Sequence, residues 1–287
     1  MVFYSLFFVK NNICQQLYVS TVQIINIYIF IMRITLIQDI IFWADKTANI
    51  QKVEDQLILL AGTTDLVVLP EMFTTGFCTD KLQLAETMEG ETVQLLKNWA
   101  VKYKMAITGS FIATENKKVY NRAFFVFPSG KMEHADKRHL FSLGGEQEHF
   151  TAGNKRIIVN YEGFNIMVLV CYDIRFPVWS RNVDTEYDLL IFVANFPQRR
   201  IIDWDILLQA RAVENQAYVC GVNRVGVDGL GIDYNGHSAL FDFKAKPILK
   251  FIENKTSIQT ADIKIEPLER YRQKFSVLND ADHFVIK

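Results

Sequence analysis

Cys171 stands where an apolar run stops. Phe164–Val170 is rich in Val, Leu and Ile with one Asn, the pattern of a buried strand, and a turn closed by Pro177 follows at once. A cysteine at that junction points its sulfur out of the sheet edge, beside backbone N–H groups that the turn leaves unpaired. The placement suits a nucleophile with a built-in oxyanion site. The alternative is a small buried apolar residue, the usual fate of a free cysteine. Two other polar groups leave apolar strands in the same way. Glu71 follows Leu66-Val67-Val68-Leu69-Pro70 and precedes Thr74-Thr75-Gly76, where neither helix capping nor a solvated charge run explains a carboxylate. It either does chemistry or stabilises the turn through hydrogen bonds. Lys137 sits in His134-Ala135-Asp136-Lys137-Arg138-His139, which taken alone reads as a solvated basic turn. Their order is Glu, then Lys, then Cys, each leaving a separate apolar strand or hairpin. Such strand ends are where sites assemble in α/β sheets.

The elements that must carry these groups alternate along the chain. Asp45 reads as the N-cap of a helix whose apolar face is Ile50, Val53, Leu57 and Leu60, ended by Gly62. Residues 65–69 form a short buried strand, and Val93, Leu96, Ala100 and Tyr103 mark a second helix. Strands follow at 105–111 and 122–127, the latter closed by Pro128-Ser129-Gly130. Residues 156–159 and Phe164–Val170 flank Tyr161-Glu162-Gly163 as a hairpin. Residues 188–193 are another buried strand, and Ile206, Ala210, Val213 and Ala217 form one face of a third helix. Strands at 218–224 and 238–243 enclose a loop with Gly226, Gly229, Gly231 and Gly236. No helix follows that loop, so it is a wide hairpin and not a dinucleotide fingerprint.

Half of the 287 residues are hydrophobic and 22% are charged, which supplies a substantial core. A net charge of −1 gives no reason to expect nucleic acid or an anionic membrane as partner. Cys14, Cys78, Cys171 and Cys220 are far apart, with no CxxC pair and no Cys/His cluster. Neither a disulfide framework nor a structural zinc site is expected, and a reducing, cytoplasmic compartment is. Residues 1–31 carry one charge, Lys10, and differ in character from the rest. Their most apolar part, 24–31, is shorter than the roughly 20 residues of a membrane span. No basic n-region or cleavage site marks a signal peptide. Met32-Arg33-Ile34-Thr35-Leu36-Ile37-Gln38 reads as a first strand. The expectation is one domain over residues 32–287, preceded by a poorly ordered upstream segment outside the native protein; a membrane anchor is the alternative for that segment.

Three stretches carry a resemblance. Leu69-Pro70-Glu71-Met72-Phe73, Asp136-Lys137-Arg138-His139-Leu140-Phe141 and Val170-Cys171-Tyr172-Asp173-Ile174-Arg175-Phe176-Pro177 resemble the signatures of the nitrilase superfamily, the carbon–nitrogen hydrolases. Within it they are most similar to the omega-amidase branch. Val193-Ala194-Asn195-Phe196-Pro197, the stretch 210–218 and the tail around Tyr271-Arg272-Gln273-Lys274-Phe275 resemble its later blocks. The likeness covers nearly all of residues 32–287 and none of 1–31. It implies an α/β fold, a four-layer αββα sandwich of two mainly mixed sheets with helices outside, assembled as a homodimer or larger homo-oligomer. It also implies roles. Cys171 attacks an amide carbonyl, Glu71 is the general base that takes the thiol proton and later activates water, and Lys137 holds the oxyanion with the backbone N–H of Tyr172. A second glutamate falls on Glu146, with Glu148 as its rival, and positions Lys137 or the substrate amide. A thioester forms, ammonia leaves and water releases an acid, with no metal and no organic cofactor.

The substrate that this resemblance implies is a small 2-oxo dicarboxylic acid monoamide, 2-oxoglutaramate or 2-oxosuccinamate. Its distal carboxylate calls for a cation, best a bidentate arginine. Arg175, Arg199, Arg200 and Arg224 are the candidates, and Arg175 could equally brace the nucleophile turn. Phe196 is expected as an apolar wall of the pocket. The five histidines, among them His134, His139 and His149, are expected to be structural or surface groups. The same triad would serve a nitrile, an N-carbamoyl amino acid or another amide, because the pocket and not the fold chooses the substrate. A non-catalytic scaffold of the same fold has no physical need for Glu71, Lys137 and Cys171 together. The expected partners are a small amide and water, without nucleic acid or membrane.

Overall fold

A computed structural model describes residues 30–282 and 284–285. The upstream segment therefore lies largely outside the described residues, as does Cys14, but Ile31 already opens the first strand. Among the described residues fourteen strands are placed in order. They are β1 (Ile31–Gln38), β2 (Leu66–Val68), β3 (Ala106–Glu115), β4 (Lys118–Val126), β5 (Met132–Asp136), β6 (Ile157–Tyr161) and β7 (Phe164–Val170). Then come β8 (Leu189–Ala194), β9 (Tyr218–Asn223), β10 (Val225–Val227), β11 (Asp233–Asn235), β12 (Ala239–Phe241), β13 (Pro247–Lys250) and β14 (Ser257–Lys264). Among the described residues the α-helices are α1 (Lys46–Leu60), α2 (Glu91–Tyr103), the single turn α3 (Glu146–His149), α4 (Ile201–Asn215) and α5 (Ile265–Lys274).

Two six-stranded sheets form, ordered β14-β1-β2-β3-β4-β5 and β13-β12-β9-β8-β7-β6. Each has a parallel trio, β1-β2-β3 or β7-β8-β9, with antiparallel strands on both sides. The pairing pattern of one sheet repeats in the other. Alternation decides which side of the first sheet each residue serves. Met32, Ile34, Leu36, Leu66, Val68, Ala123 and Phe125 face the second sheet, in a core shared with β7, β8 and β9. Ile37, Val67, Leu69, Ile107, Phe124 and Val126 face the other way, under Val53 and Leu57 of α1 and Val93, Leu96 and Trp99 of α2. Trp204, Leu208 and Ala212 of α4 and Leu268 of α5 join the core of the second sheet. The architecture is the expected layered α/β sandwich with helices outside.

Local signals explain most element boundaries. Asp45 accepts from the Ala48 N–H at 3.0 Å and starts α1. Glu162 and Gly163, with φ of 48° and 79°, make the tight turn between β6 and β7. Strands β9 and β12 do pair as a wide hairpin, and the glycine-rich loop between them carries its own small sheet, β10-β11. The last strand, β14, returns to pair antiparallel with β1 from Ile31↔Lys264 to Gln38↔Ser257.

The expected inner face of the third helix is overturned. Ile206 and Val213 are 59% and 53% exposed, while Trp204, Leu208, Arg211, Ala212 and Asn215 are buried. Apolar residues occupy two sides of this helix, and polar partners decide between them. Asn215 Oδ1 accepts from the Asn182 N–H, and Arg211 donates twice to the Ile174 carbonyl, at 3.1 and 2.6 Å. Gly221 of β9 permits the close approach: a Cβ there would come within 2.6 Å of Leu208 Cδ1. Leu208→Ala should therefore lower unfolding stability by about 2–5 kcal/mol, read from the chemical denaturation midpoint. An unchanged midpoint would contradict this face.

Candidate active site

The nucleophile candidate sits on a strained turn. Cys171 has φ of 43°, a left-handed conformation that costs energy for a residue with a Cβ, and it begins a 3-10 turn directly after β7. Asp173 holds that turn closed. Its Oδ2 accepts from the Val170 N–H at 3.2 Å, and its Oδ1 accepts from the His139 N–H at 3.0 Å and faces His139 Nδ1 at 2.8 Å. The His139 ring stacks on Phe176 at 3.7 Å. His139 thus ties the segment after Lys137 to the segment after Cys171, a structural task as expected. Arg211 secures the same turn from behind through the Ile174 carbonyl. The N–H of Tyr172 lies in the first turn of this short helix, where no intrahelical acceptor exists.

Glu71 and Lys137 come from the first sheet. Glu71 lies just past β2, and the chain after it is pinned to β3, where the Met72 N–H donates to Ser110 Oγ at 2.9 Å and the Phe73 N–H to the Ser110 carbonyl. Lys137 follows β5; its N–H donates to the Asn121 carbonyl, and its own carbonyl accepts from the Gly153 N–H at 2.8 Å. A Cβ at Gly153 would fall 2.0 Å from the Asp136 carbonyl oxygen, so only glycine fits there.

The side chains meet in a buried network. Lys137 Nζ donates to Glu71 Oε1 at 3.0 Å and to Glu146 Oε2 and Oε1 at 2.9 and 3.2 Å, with all three side chains fully buried. Asn121 Nδ2 donates to Oε1 of both carboxylates, at 2.8 and 3.1 Å. Glu71 Oε2 accepts from the Asn195 N–H at 2.8 Å, and Glu146 Oε2 accepts from the Phe141 N–H at 2.6 Å. Each of the four carboxylate oxygens meets at least one N–H donor. Cys171 Sγ lies 3.8 Å from the Asn195 carbonyl.

Burial and charge shape the titrations. Burial pushes the Cys171 thiol well above its ordinary range, the Glu71 charge pushes the same way, and Lys137 opposes both. The resting group is a thiol, so attack needs a base. Burial would depress Lys137, yet the charges of Glu146 and Glu71 carry it upward and keep it cationic. Burial raises Glu146 against the pull of Lys137, and Glu71 adds to the rise. Cys78, by contrast, is raised to about 12 by burial and donates to the Thr75 carbonyl.

A small pocket of about 90 Å³ opens on Cys171 and Lys137. Phe196, Arg175 and Arg199 line it, together with Tyr172 and Arg200. Arg175 is paired with Asp203 at 2.6 Å, which favours its bracing role. Arg224 is buried outside the lining and donates to the carbonyls of Ile41 and Val225. Glu146 is buried in the network and Glu148 is exposed. Asn121 and Asn195 went unassigned in the sequence. Asn195 stands in a quoted motif, whereas Asn121 gave no signal beyond a polar residue inside a strand. Among the described residues, no group of three or more His, Cys, Asp or Glu is placed to hold a metal ion. No helix among them is long and apolar enough to cross a membrane.

Residues 33–273 match the carbon–nitrogen hydrolase family. The chain is 40% identical to omega-amidase YafV of Yersinia enterocolitica over 255 residues, covering 89% of this chain and 98% of that one. It is 31% identical to 2-oxoglutaramate amidase of Bacillus subtilis over 251 residues, 86% and 96% of the two chains. A CN-hydrolase superfamily protein of Xanthomonas campestris, crystallised with an arsenic adduct in its active site, superposes with a TM-score of 0.87 at 40% identity. That superposition covers 90% of this chain and 99% of that one.

Proposed function

The chain belongs to the carbon–nitrogen hydrolase family and is a hydrolase of carbon–nitrogen bonds other than peptide bonds, a premise from which we propose that it is an omega-amidase. Its substrates are small 2-oxo dicarboxylic acid monoamides, 2-oxoglutaramate or 2-oxosuccinamate, and its products the 2-oxo acid and ammonia. The observation that carries this reading is the 40% identity to an omega-amidase over 89% of the chain, and the network of Glu71, Lys137 and Glu146 beside a buried thiol in a small pocket supplies the chemistry. The activities of its relatives, an omega-amidase and a 2-oxoglutaramate amidase, point to the same chemistry.

In this reading the Cys171 sulfur attacks the amide carbon while its proton passes to a lone pair of Glu71. The carbonyl oxygen becomes an oxyanion held by the Tyr172 N–H and Lys137 Nζ, and Glu146 keeps that ammonium in place. Collapse of the tetrahedral species breaks the carbon–nitrogen bond, and Glu71 returns the proton to the leaving nitrogen as ammonia. Water, deprotonated by Glu71, then cleaves the thioester and regenerates the thiol and the acid. Lys137 Nζ contacts three carboxylate oxygens, and the longest contact, 3.2 Å to Glu146 Oε1, is the one it would give up to reach the oxyanion. Three unpaired cysteines among the described residues suit a reducing cytoplasm, and a homodimer or larger homo-oligomer is the assembly we assign.

Ammonia release tests the reading. With 2-oxoglutaramate, an N-carbamoyl amino acid and an aliphatic nitrile offered in parallel, the first should turn over with the highest kcat/KM. Preference for the carbamoyl compound or the nitrile would replace this function with another of the same triad.

A further inference from the structure

Four cationic side chains line the pocket: Lys137, Arg175, Arg199 and Arg200. Two of them are already neutralised, Lys137 between Glu71 and Glu146 and Arg175 against Asp203. The lining contains one carboxylate, Asp228, and it is turned to its own loop. It accepts from the N–H groups of Leu230 and Ile232 and from the Tyr234 hydroxyl. Arg200 differs from the other three. It is half-buried, and its guanidinium lies 4.9 Å from the centre of the Phe141 ring. Among the described residues no carboxylate or other acceptor meets its guanidinium N–H groups. Arg199 beside it is exposed, where solvent and salt screen its charge.

We propose, resting on the omega-amidase reading, that Arg200 is the specificity residue: its guanidinium takes the substrate carboxylate at the end remote from the scissile amide, with Phe141 as a flat support. A planar fork on an aromatic face is held in one orientation and matches a carboxylate bidentately. Half-burial strengthens such a contact relative to the exposed Arg199. Burial, and then the charge of Arg199, depress the Arg200 guanidinium, which is the condition of a cation short of a counter-ion. An anionic substrate relieves that condition. A neutral amide leaves the cation unpaired, so the same residue that favours the acid amide discriminates against its neutral analogue.

The test is Arg200→Met, which keeps an unbranched apolar stem against Phe141 and removes the fork and the charge, with Arg200→Lys restoring the charge alone. For 2-oxoglutaramate, KM should rise about 10- to 100-fold in the methionine variant, with kcat changed far less and the lysine variant in between. For pentanamide, which has no carboxylate, the variant should match the parent enzyme or exceed it. Equal losses on both substrates, or an unchanged KM for the acid amide, overturn the proposal. A second measurement does not need turnover: calorimetric binding of 2-oxoglutarate to Cys171→Ala with and without Arg200→Met. Binding lost with Arg200 supports the anchor; equal binding, or none to Cys171→Ala itself, overturns it. If the parent enzyme fails to hydrolyse 2-oxoglutaramate while Cys171→Ala binds the dicarboxylate through Arg200, the substrate reading falls and the anchor stands.

Discussion

Cys171→Ala is expected to lose turnover by a factor on the order of 10⁶, the scale of deleting a covalent nucleophile whose partners cannot act without it. The fold should survive, because the substitution removes one sulfur at a pocket wall and leaves Asp173, His139 and Arg211 to hold the turn. Cys14→Ala, Cys78→Ala and Cys220→Ala should each keep most of the activity. Mass spectrometry during turnover should find the acyl group on the Cys171 peptide and on no other. Residual hydrolysis within about 100-fold of the parent would end the covalent mechanism, since the oxyanion site and binding alone leave far less than that.

The second large effect separates Glu71 from Lys137. Glu71→Gln removes the base and should slow acylation by about 10²–10⁴-fold. The amide is not a neutral replacement here. Both carboxylate oxygens accept from N–H donors, so the new NH2 group must face either Asn195 or the Lys137–Asn121 side. Lys137→Met removes the cation between two buried carboxylates, and such a break costs about 3–5 kcal/mol. Glu146, already raised, is the carboxylate placed to take up a proton in response. The pH profile of Cys171 alkylation by iodoacetamide tells the two apart. The Lys137 charge lowers the thiol pKa and the Glu71 charge raises it. Lys137→Met should move alkylation to higher pH, and Glu71→Gln should move it lower or leave it in place. An upward movement in both variants would remove Glu71 as the neighbouring anionic base.

Much of this was legible in the chain because strand ends leave a local trace. Glu71 and Cys171 each follow an apolar run of a few residues, and their odd placement is visible without the fold. The helices α1 and α2 were equally plain, since their buried residues recur at helical spacing. What escaped was polar burial between distant segments. Asn195 and Glu71 are 124 positions apart, and nothing near either predicts that the Asn195 N–H donates to Glu71 Oε2. Asn121 is hidden for the same reason: an amide inside a strand looks the same whether it faces water or two carboxylates. The inner face of α4 was misread because its buried stripe includes Arg211 and Asn215, and hydropathy places such residues outside. Only their hydrogen-bond partners, the Ile174 carbonyl that accepts from Arg211 and the Asn182 N–H that donates to Asn215, reverse that assignment.

Glu71 and Lys137 descend from one sheet and Cys171 from the other, and the Asn195–Glu71 bonds bridge the two. The reacting groups are thus a gauge of how the halves of the sandwich are aligned. A slip of one layer over the other by about 1 Å would leave both sheets intact and still cost on the order of 10² in rate. Methyl groups far from the pocket, such as those of Leu66 or Val168 in the shared core, therefore set the separation of base and nucleophile. Catalytic tolerance in this protein is a property of its middle layer as much as of its triad.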